Sequence, residues 1–288
     1  LKTIGIFAFA GCTALENIVI PNSVESIGGG AFSECAVLSQ VTFEEGGEAG
    51  LRLETIPEDA ELNGHMDSEG VFYQCTALTS ISIPSRTEYI GQWCFYNCNV
   101  LTAVTFETDE SGMSRLETID ELAFVSIHLT ELALPEGLKT IERRAFAISG
   151  TGAALEELVI PSTVTTIGEQ AFDMQKALKS VTIKEGQEDL TIVDEAFSDC
   201  TALETVVLPS NLVSLAADAF TGCISVKDFS ISSENTNFVA EGGALYNAEK
   251  TQLLAFPRGR SGSVTIPEGI TELAAYALQG ANATEVIL

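Results

Sequence analysis

An Ala-Phe pair recurs along this chain at a fixed step, and the step constrains the fold more than any other feature. The basal step between copies is 23 residues, as from Phe9 to Phe32, and longer steps contain insertions. A constant period in this range is typical of a solenoid, in which each coil covers the apolar surface of the next. The eleven copies place their aromatic residue or leucine at Phe9, Phe32, Phe72, Phe95, Phe124, Phe146, Phe172, Phe197, Phe220, Leu245 and Leu278.

One copy, residues 12–35, reads CTALENIVIPNSVESIGGGAFSEC. Its Ile-x-Ile alternation at residues 18–20 predicts a short strand. Pro21 has no backbone N–H and is therefore expected to end that strand, after which a second short extended stretch follows. The spacing of four between Ala31 and Cys35 is typical of helix and predicts a short helical turn that packs its apolar residues inward. One coil is thus strand, corner, strand and helical turn.

The repeat resembles the BspA-type family of bacterial leucine-rich repeat surface proteins, whose pattern is L-x-x-I-x-x-x-A-F-x-x-C-x-x-L-x-x-I-x-I-P. Residues 116–124 (LETIDELAF) and 196–209 (AFSDCTALETVVLP) match it closely, and residues 234–259 resemble the variant repeat of the family. The resemblance covers essentially the whole chain. It implies a leucine-rich repeat fold and a role in surface attachment and host-protein binding, without a shared site motif.

The predicted fold is an α/β-type solenoid. It is a right-handed leucine-rich repeat superhelix of about eleven coils of 23 residues, with a parallel β-sheet on one face and short helical turns on the other. Residues 1–288 are expected to form a single solenoid domain with insertions at 44–52, 57–70 and 107–115 and a variant repeat at 232–267. Both ends fall inside a repeat, which suggests a segment of a longer protein.

The charge of the chain restricts its partners. Lys and Arg number 14 against 41 Asp and Glu, a net charge of -27. Such a surface repels nucleic acid and anionic lipid and attracts cations or basic proteins, although it is equally expected of a protein kept soluble by charge. No apolar run approaches the roughly 18 residues of a membrane span. The resemblance implies an extracellular or cell-surface location, although the chain shows no signal-like start.

Six of the seven cysteines lie three residues after the ladder aromatic, in a slot that small apolar residues fill in other copies. The pattern favours buried free thiols. Disulfides between ladder neighbours are the alternative, since adjacent coils bring their Cα atoms within bonding range, but parallel side chains would have to reorient. The cysteines of this slot are Cys12, Cys35, Cys75, Cys98, Cys200 and Cys223.

Nothing in the sequence predicts catalysis. The cysteines lack the C-x2-C spacing of a zinc site, and the only histidines are His65 and His128. The stretch EEGGEAG at 44–50 has no lysine and no following helix, so it does not predict a phosphate-binding loop. The sequence therefore indicates no enzyme, no catalytic residue, no cofactor and no metal site.

The outer face of the predicted sheet is small, weakly polar and free of aromatic residues, which argues against a protein-binding hot spot there. The residues assigned to it are Asn17/Val19, Gln40/Thr42, Ser80/Ser82, Ala103/Thr105, Glu131/Ala133, Glu157/Val159, Ser180/Thr182, Thr205/Val207, Asp228/Ser230 and Leu253/Ala255.

Two other surfaces are candidates. An exposed aromatic patch is predicted from side chains on adjacent copies and in the neighbouring insertion, unless these rings only fill gaps around an enlarged coil. Its members are Tyr73, Tyr89, Trp93, Tyr96 and His65. An acidic edge is predicted from the insertions that follow strands, where the carboxylates either hold a cation or are simply solvated. Its members are Glu44, Glu45, Asp109, Glu110, Glu185 and Glu188.

The functional prediction is a non-catalytic module that binds a protein or carbohydrate ligand. As a cell-surface or secreted adhesion segment, it would recognise a host or matrix protein or a glycan. The alternative is a passive structural spacer within a larger surface protein.

Overall fold

A computed structural model describes residues 1–60, 66, 67, 69–150 and 152–288. The chain divides into two compact units, unit 1 at Leu1–Gly152 and unit 2 at Ala153–Leu288. Within each unit, stacked coils of short strands confirm the solenoid that the period predicts. The single domain over 1–288 stays a prediction.

Among the described residues, four coils of unit 1 contribute a first strand and, after a corner, a second strand, and two further coils contribute a second strand alone. The second strands form a parallel sheet, in which Ile4, Ile27, Leu53, Ile90 and Ile119 lie in register and are buried. The second strands are β1 Thr3–Ile4, β3 Ser26–Ile27, β5 Leu51–Leu53, β7 Thr87–Ile90, β9 Thr118–Ile119 and β10 Thr140–Ile141. The first strands are β2 Asn17–Ile20, β4 Gln40–Phe43, β6 Ser80–Ile83 and β8 Ala103–Phe106, which pair in parallel as β2–β4 and β6–β8.

Unit 2 repeats this arrangement up to its variant repeat. The first strands β11 Glu157–Ile160, β13 Ser180–Ile183, β15 Thr205–Leu208 and β17 Asp228–Ile231 form a four-stranded parallel sheet. The second strands are β12 Thr166–Ile167, β14 Leu190–Ile192 and β16 Leu212–Leu215. In the variant repeat, β18 Phe238–Glu241 and β19 Ala244–Asn247 form an antiparallel hairpin, followed by β20 Gln252–Ala255, β21 Gly262–Thr265, β22 Glu272–Leu273 and β23 Ala283–Ile287.

The prolines end the first strands as predicted. Pro21, Pro84, Pro161 and Pro209 directly follow β2, β6, β11 and β15. Their carbonyl groups remain available as acceptors, and the Pro21 carbonyl accepts the Val24 amide at 3.0 Å to close the corner. The missing N–H and the retained C=O therefore both serve the turn.

The helical turns predicted after the second strand are absent from the described residues, and consecutive tight turns replace them. The amide of Ala31 bonds within its own coil, to the Gly28 carbonyl at 3.1 Å, whereas the amide of Phe32 bonds to the Val71 carbonyl of the next coil at 2.8 Å. Because alternate amides are committed to a neighbouring coil, a continuous i to i−4 helical ladder cannot form. Left-handed backbone at Gly30 (φ 67°) sharpens the turn.

The ladder phenylalanines form the centre of both cores. In unit 1 the Phe9 and Phe32 rings stack with centroids 5.1 Å apart, and the rings of Phe95 and Phe124 with centroids 4.9 Å apart. These are favourable distances for offset aromatic pairs. In unit 2 the stack ends where Phe229 packs edge-on against Phe220, at 5.3 Å and 65°.

One insertion is shorter than predicted. Residues 51 and 52 were assigned to the insertion 44–52, but Leu51 begins β5 and is buried in register with Thr87. Leucine on both sides of Arg52 supplies the alternation of a strand, which the insertion prediction overlooked.

Candidate functional site

The ladder cysteines are hydrogen-bond donors inside the core. All seven cysteines are free, and all except Cys12 are buried, which confirms the prediction of buried free thiols. In five copies the Sγ–H donates to the carbonyl of the ladder phenylalanine of the preceding coil. These bonds are Cys35 to Phe9 at 3.1 Å, Cys75 to Phe32 at 3.2 Å, Cys98 to Phe72 at 3.1 Å, Cys200 to Phe172 at 3.3 Å and Cys223 to Phe197 at 3.1 Å.

Burial keeps these thiols protonated. It raises the pKa of Cys98 to about 12 and raises the pKa values of Cys75, Cys94 and Cys200 as well. A nucleophilic or metal-binding cysteine requires the thiolate. The cysteines are therefore structural groups, and the slot favours a small side chain that can also donate a hydrogen bond.

A buried arginine continues this pattern in the variant repeat. The Arg258 guanidinium donates from Nη1 to the Phe220 carbonyl at 2.7 Å and from Nη2 to the Tyr276 carbonyl at 2.6 Å. The residue is only 5% exposed, and its burial lowers the pKa of the guanidinium. Arg258 thus bonds the type of carbonyl that accepts a thiol in other coils, a role that the sequence analysis missed.

Three members of the predicted aromatic patch lie together. The rings of Tyr73 and Tyr96 stack at 5.5 Å, and Trp93 meets Tyr96 edge-on at 4.8 Å. Trp93 and Tyr96 are half-buried and pack against a small apolar cluster that includes Leu122 and Val125. Part of the surface of each of these two residues remains accessible.

The expectation that Tyr73 is exposed is wrong, because its exposure is 5%. The slot that follows the ladder phenylalanine lies between coils, and Ser33, Val125 and Ala147 are buried there too. Tyr73 therefore fills space in the core, which is the alternative that the sequence left open for these rings. His65 lies outside the described residues.

Tyr89 belongs to a different set of contacts on the second-strand sheet. Its hydroxyl donates to a carboxylate oxygen of Asp120, and the Arg52 guanidinium carbon lies 4.6 Å from the ring centroid. Arg52 also pairs with Glu54 at 2.9 Å. Burial, followed by the bond to Asp120, raises the pKa of Tyr89. A cation, an aromatic ring and a carboxylate thus hold one another on three successive coils.

Most residues of the predicted acidic edge take part in loop structure, some through a carboxylate and some through a backbone carbonyl. In the first insertion, Glu44 accepts the Asn22 amide at 3.3 Å, and the Glu45 carbonyl accepts Asn22 Nδ2 at 3.0 Å. In unit 2, Glu185 accepts the Ser210 amide at 2.8 Å, and the Ser210 bonds lower the pKa of this carboxyl.

The insertion 107–115 is closed by its own aspartate. Asp109 accepts the Ser111 hydroxyl at 2.6 Å and the amides of Met113 at 3.1 Å and Ser111 at 2.9 Å, and these bonds lower its pKa. Asn211 binds the Glu188 carbonyl at 2.6 Å in the corresponding loop of unit 2, and Glu110 is exposed. Within the described part of the chain, no three His, Cys, Asp or Glu side chains are grouped as metal ligands. The same residues contain no helix long and apolar enough to span a membrane.

Comparisons with solved structures give distant similarities. The pneumococcal vaccine antigen PcpA is 19% identical with a TM-score of 0.38, over 100% of this chain and 51% of that one. A leucine-rich repeat protein of Eubacterium ventriosum is 17% identical with a TM-score of 0.37, over 95% and 47%. A leucine-rich cell surface protein of Faecalibacterium prausnitzii is 21% identical with a TM-score of 0.36, over 81% and 83%. The chain thus spans about half the length of the first two.

A comparison with curated proteins finds no match to this chain. A family model described as the BspA type leucine-rich repeat region matches in six copies, over residues 1–52, 68–190 and 149–259. These ranges cover most of the sequence and follow the coils formed by the Ala-Phe ladder. The chain therefore belongs to the BspA-type leucine-rich repeat family.

Proposed function

We propose that this chain is a non-catalytic binding module of a cell-surface or secreted protein, and that it recognises a protein or a glycan. The observation that carries the proposal is the concentration of interface-type side chains on neighbouring coils of unit 1. Arg52, Tyr89, Trp93 and Tyr96 all lie there with part of their surface accessible. Tyrosine, tryptophan and arginine are the residues that most often dominate binding energy at protein interfaces.

The equivalent positions in other coils indicate that the fold does not require these large side chains. Arg52 and Tyr89 lie in register with Ser26, Thr118 and Thr140, so small hydroxyl residues satisfy the same slot in other coils. The slots of Trp93 and Tyr96 hold Leu122 and Val125 in the next coil. The large polar and aromatic groups are therefore additions to a scaffold that folds with smaller ones, which supports a role in recognition.

Family membership supports the same proposal, because the resemblance to this family implies attachment at the cell surface. The loop carboxylates support the proposed binding function less than the aromatic and arginine side chains do. Those of Asp109 and Glu185 accept hydrogen bonds from nearby loop residues, as described above, and such bonds occupy acceptor positions that a ligand would use.

The test is a binding screen of the purified chain against immobilised matrix proteins and a glycan array. The variant Trp93→Leu with Tyr96→Val places in this coil the residues that the next coil carries, so the fold should tolerate it. Tyr276→Leu is the matched control, since Tyr276 occupies the slot of Trp93 in unit 2 and is 49% exposed. We expect a ligand whose affinity falls about tenfold in the double variant and stays unchanged in the control.

Two results would contradict the proposal in different ways. A ligand that binds the double variant as tightly as the wild type would remove the Trp93–Tyr96 surface from the site. A chain that binds nothing in the screen would favour the spacer alternative. The regular outer face of the first-strand sheet of unit 2, where Val159, Thr182 and Val207 lie in register, favours that alternative because it lacks interface-type residues.

A further inference from the structure

Two large side chains lie at the centre of the outer face of the second-strand sheet of unit 1. Ser26, Thr118 and Thr140 give this face a row of short hydroxyl side chains, in which Arg52 and Tyr89 stand side by side. The alternate residues of the same strands are buried in the core. The row therefore faces solvent, and the Arg52 side chain is 44% exposed.

Contacts within the free protein hold both central side chains in place. The guanidinium of Arg52 lies over the Tyr89 ring and is tied to Glu54, while the Tyr89 hydroxyl is tied to Asp120. Side chains that are ordered in the free protein lose little conformational entropy on binding. The Tyr89 ring is thus a pre-formed platform about one coil wide.

Carboxylates surround this platform. Asp120, Glu121 and Glu142 follow β9 and β10 at the end of the row, and Arg143 pairs with Glu121. Burial raises the pKa of Glu142, and the repulsion from Asp120 and Glu121 raises it further. Because Arg143 already neutralises Glu121, the remaining repulsion between Asp120 and Glu142 is relieved by a cation placed between them. The net charge of -27 adds a negative electrostatic potential around the molecule.

We infer that this face docks a basic, extended segment of another protein, with a lysine or arginine side chain bonded to Asp120 and Glu142 and lying against the part of the Tyr89 ring that Arg52 leaves uncovered. The inference rests on the proposed binding function and names the chemistry of its partner. A neutral glycan can donate hydroxyl hydrogen bonds to the carboxylates but forms no charge pair with them, whereas an ammonium or guanidinium gains both charge pairing and contact with the ring. A flat face with aligned coils also suits an extended peptide.

The probe is a fluorescein-labelled peptide of alternating glycine and arginine, compared with a matched peptide of alternating glycine and glutamate. Fluorescence anisotropy is measured at ~50 and ~300 mM salt, because charge pairing at an exposed site is screened over that range. Asp120→Asn with Glu142→Gln removes two charges at the site. Glu157→Gln with Glu188→Gln removes two exposed charges in unit 2 and is the control for general electrostatic attraction.

We expect the basic peptide to bind and the acidic peptide not to bind. The site variant should weaken the basic peptide about tenfold, and the control variant should weaken it less than about twofold. Tyr89→Thr, which installs the residue found in the adjacent slots, should also weaken it about tenfold and does not depend on the carboxylate variant folding.

Equal weakening by the site and control variants would show general attraction to an acidic protein and overturn the inference. Failure of the wild type to bind the peptide would overturn it as well. If the binding screen then still finds a ligand, only this inference fails and the proposed function stands. A neutral glycan that loses binding in Tyr89→Thr would assign the face to carbohydrate instead.

Discussion

The thiol slot allows a quantitative test of how the coils are held together. Cys98 is fully buried, and its Sγ–H donates to the Phe72 carbonyl at 3.1 Å. The same carbonyl also accepts the Cys75 amide at 3.1 Å. Replacing Cys98 by alanine therefore leaves that carbonyl with one partner, so the large penalty of an orphaned buried acceptor does not arise.

The cost of Cys98→Ala then has two parts. Removing a buried sulfur from a closely packed core costs about 1 to 2 kcal/mol through lost transfer energy and the cavity left behind. Losing a weak thiol hydrogen bond adds about 0.5 kcal/mol. We expect the free energy of unfolding to fall by about 2 kcal/mol. Cys98→Ser should cost a similar amount, since its shorter bond to Cβ holds the oxygen farther from the carbonyl.

The measurement is urea unfolding of the whole chain, followed by circular dichroism and tyrosine fluorescence. Cys12→Ala is the matched control, because Cys12 occupies the same slot in the same unit but is only partly buried. It should change the free energy of unfolding by less than about 0.5 kcal/mol. If both variants cost the same, the slot does not stabilise the stack through burial and bonding, and the reasoning is refuted.

Three further perturbations follow from named contacts. Gly70→Ala would place a Cβ 2.2 Å from the backbone of Trp93. It should lower the free energy of unfolding by about 1 to 3 kcal/mol in the same urea assay. A loss under about 0.5 kcal/mol would mean that the coils separate easily. Asn235→Asp removes a side-chain amide that donates to three carbonyls, at 3.1, 3.1 and 2.9 Å. It should lower the free energy of unfolding by about 2 to 4 kcal/mol. An unchanged urea midpoint would contradict the role of Asn235 as the anchor of the variant repeat. Burial, followed by repulsion from Asp120 and Glu121, raises the pKa of Glu142, so the folded chain holds this proton to higher pH than the unfolded chain. The contribution of Glu142 to stability is therefore favourable at acid pH and falls as pH rises above the ordinary glutamate range. Glu142→Gln should flatten that part of the pH profile of unfolding free energy, whereas an unchanged slope would contradict the raised pKa.

Much of this fold could be read from the sequence because the repeat reports contacts between coils. The Ala-Phe pair locates the ladder positions at a basal step of 23 residues, and the proline that follows β2, β6, β11 and β15 locates the ends of those first strands. The turn conformation could not be read in this way. A spacing of four between Ala31 and Cys35 fits a helix as well as consecutive tight turns, and only the partners of alternate amides, which lie on another coil, separate the two.

The site errors have the same origin. Tyr73 was predicted to belong to an exposed patch because aromatic residues gather on adjacent coils. The equivalent residues Ser33 and Val125 are buried between coils, and the apolar Val125 was an available signal that this slot packs inward. Leu253 was assigned to the outer sheet face and is buried at 1% exposure. This assignment extended the inward and outward alternation of the regular coils into the variant repeat. There the antiparallel hairpin changes which side of the strand faces the core.

The backbone of the turn explains why side chains such as Trp93 can be added without changing the fold. The residue two positions before the ladder aromatic is left-handed in many coils, with φ of 57° at Trp93, 59° at Leu122, 55° at Arg144 and 55° at Glu195. Each such residue costs about 1 kcal/mol or more. The cost is offset because neighbouring amides bond across coils, as the Phe95 amide does to the Ala123 carbonyl at 2.8 Å. Since these bonds use only the backbone, they hold the same turn for tryptophan, leucine, arginine or glutamate. The stack is thus specified by its buried ladder, while the side chains at these left-handed positions can differ from coil to coil without changing the turn.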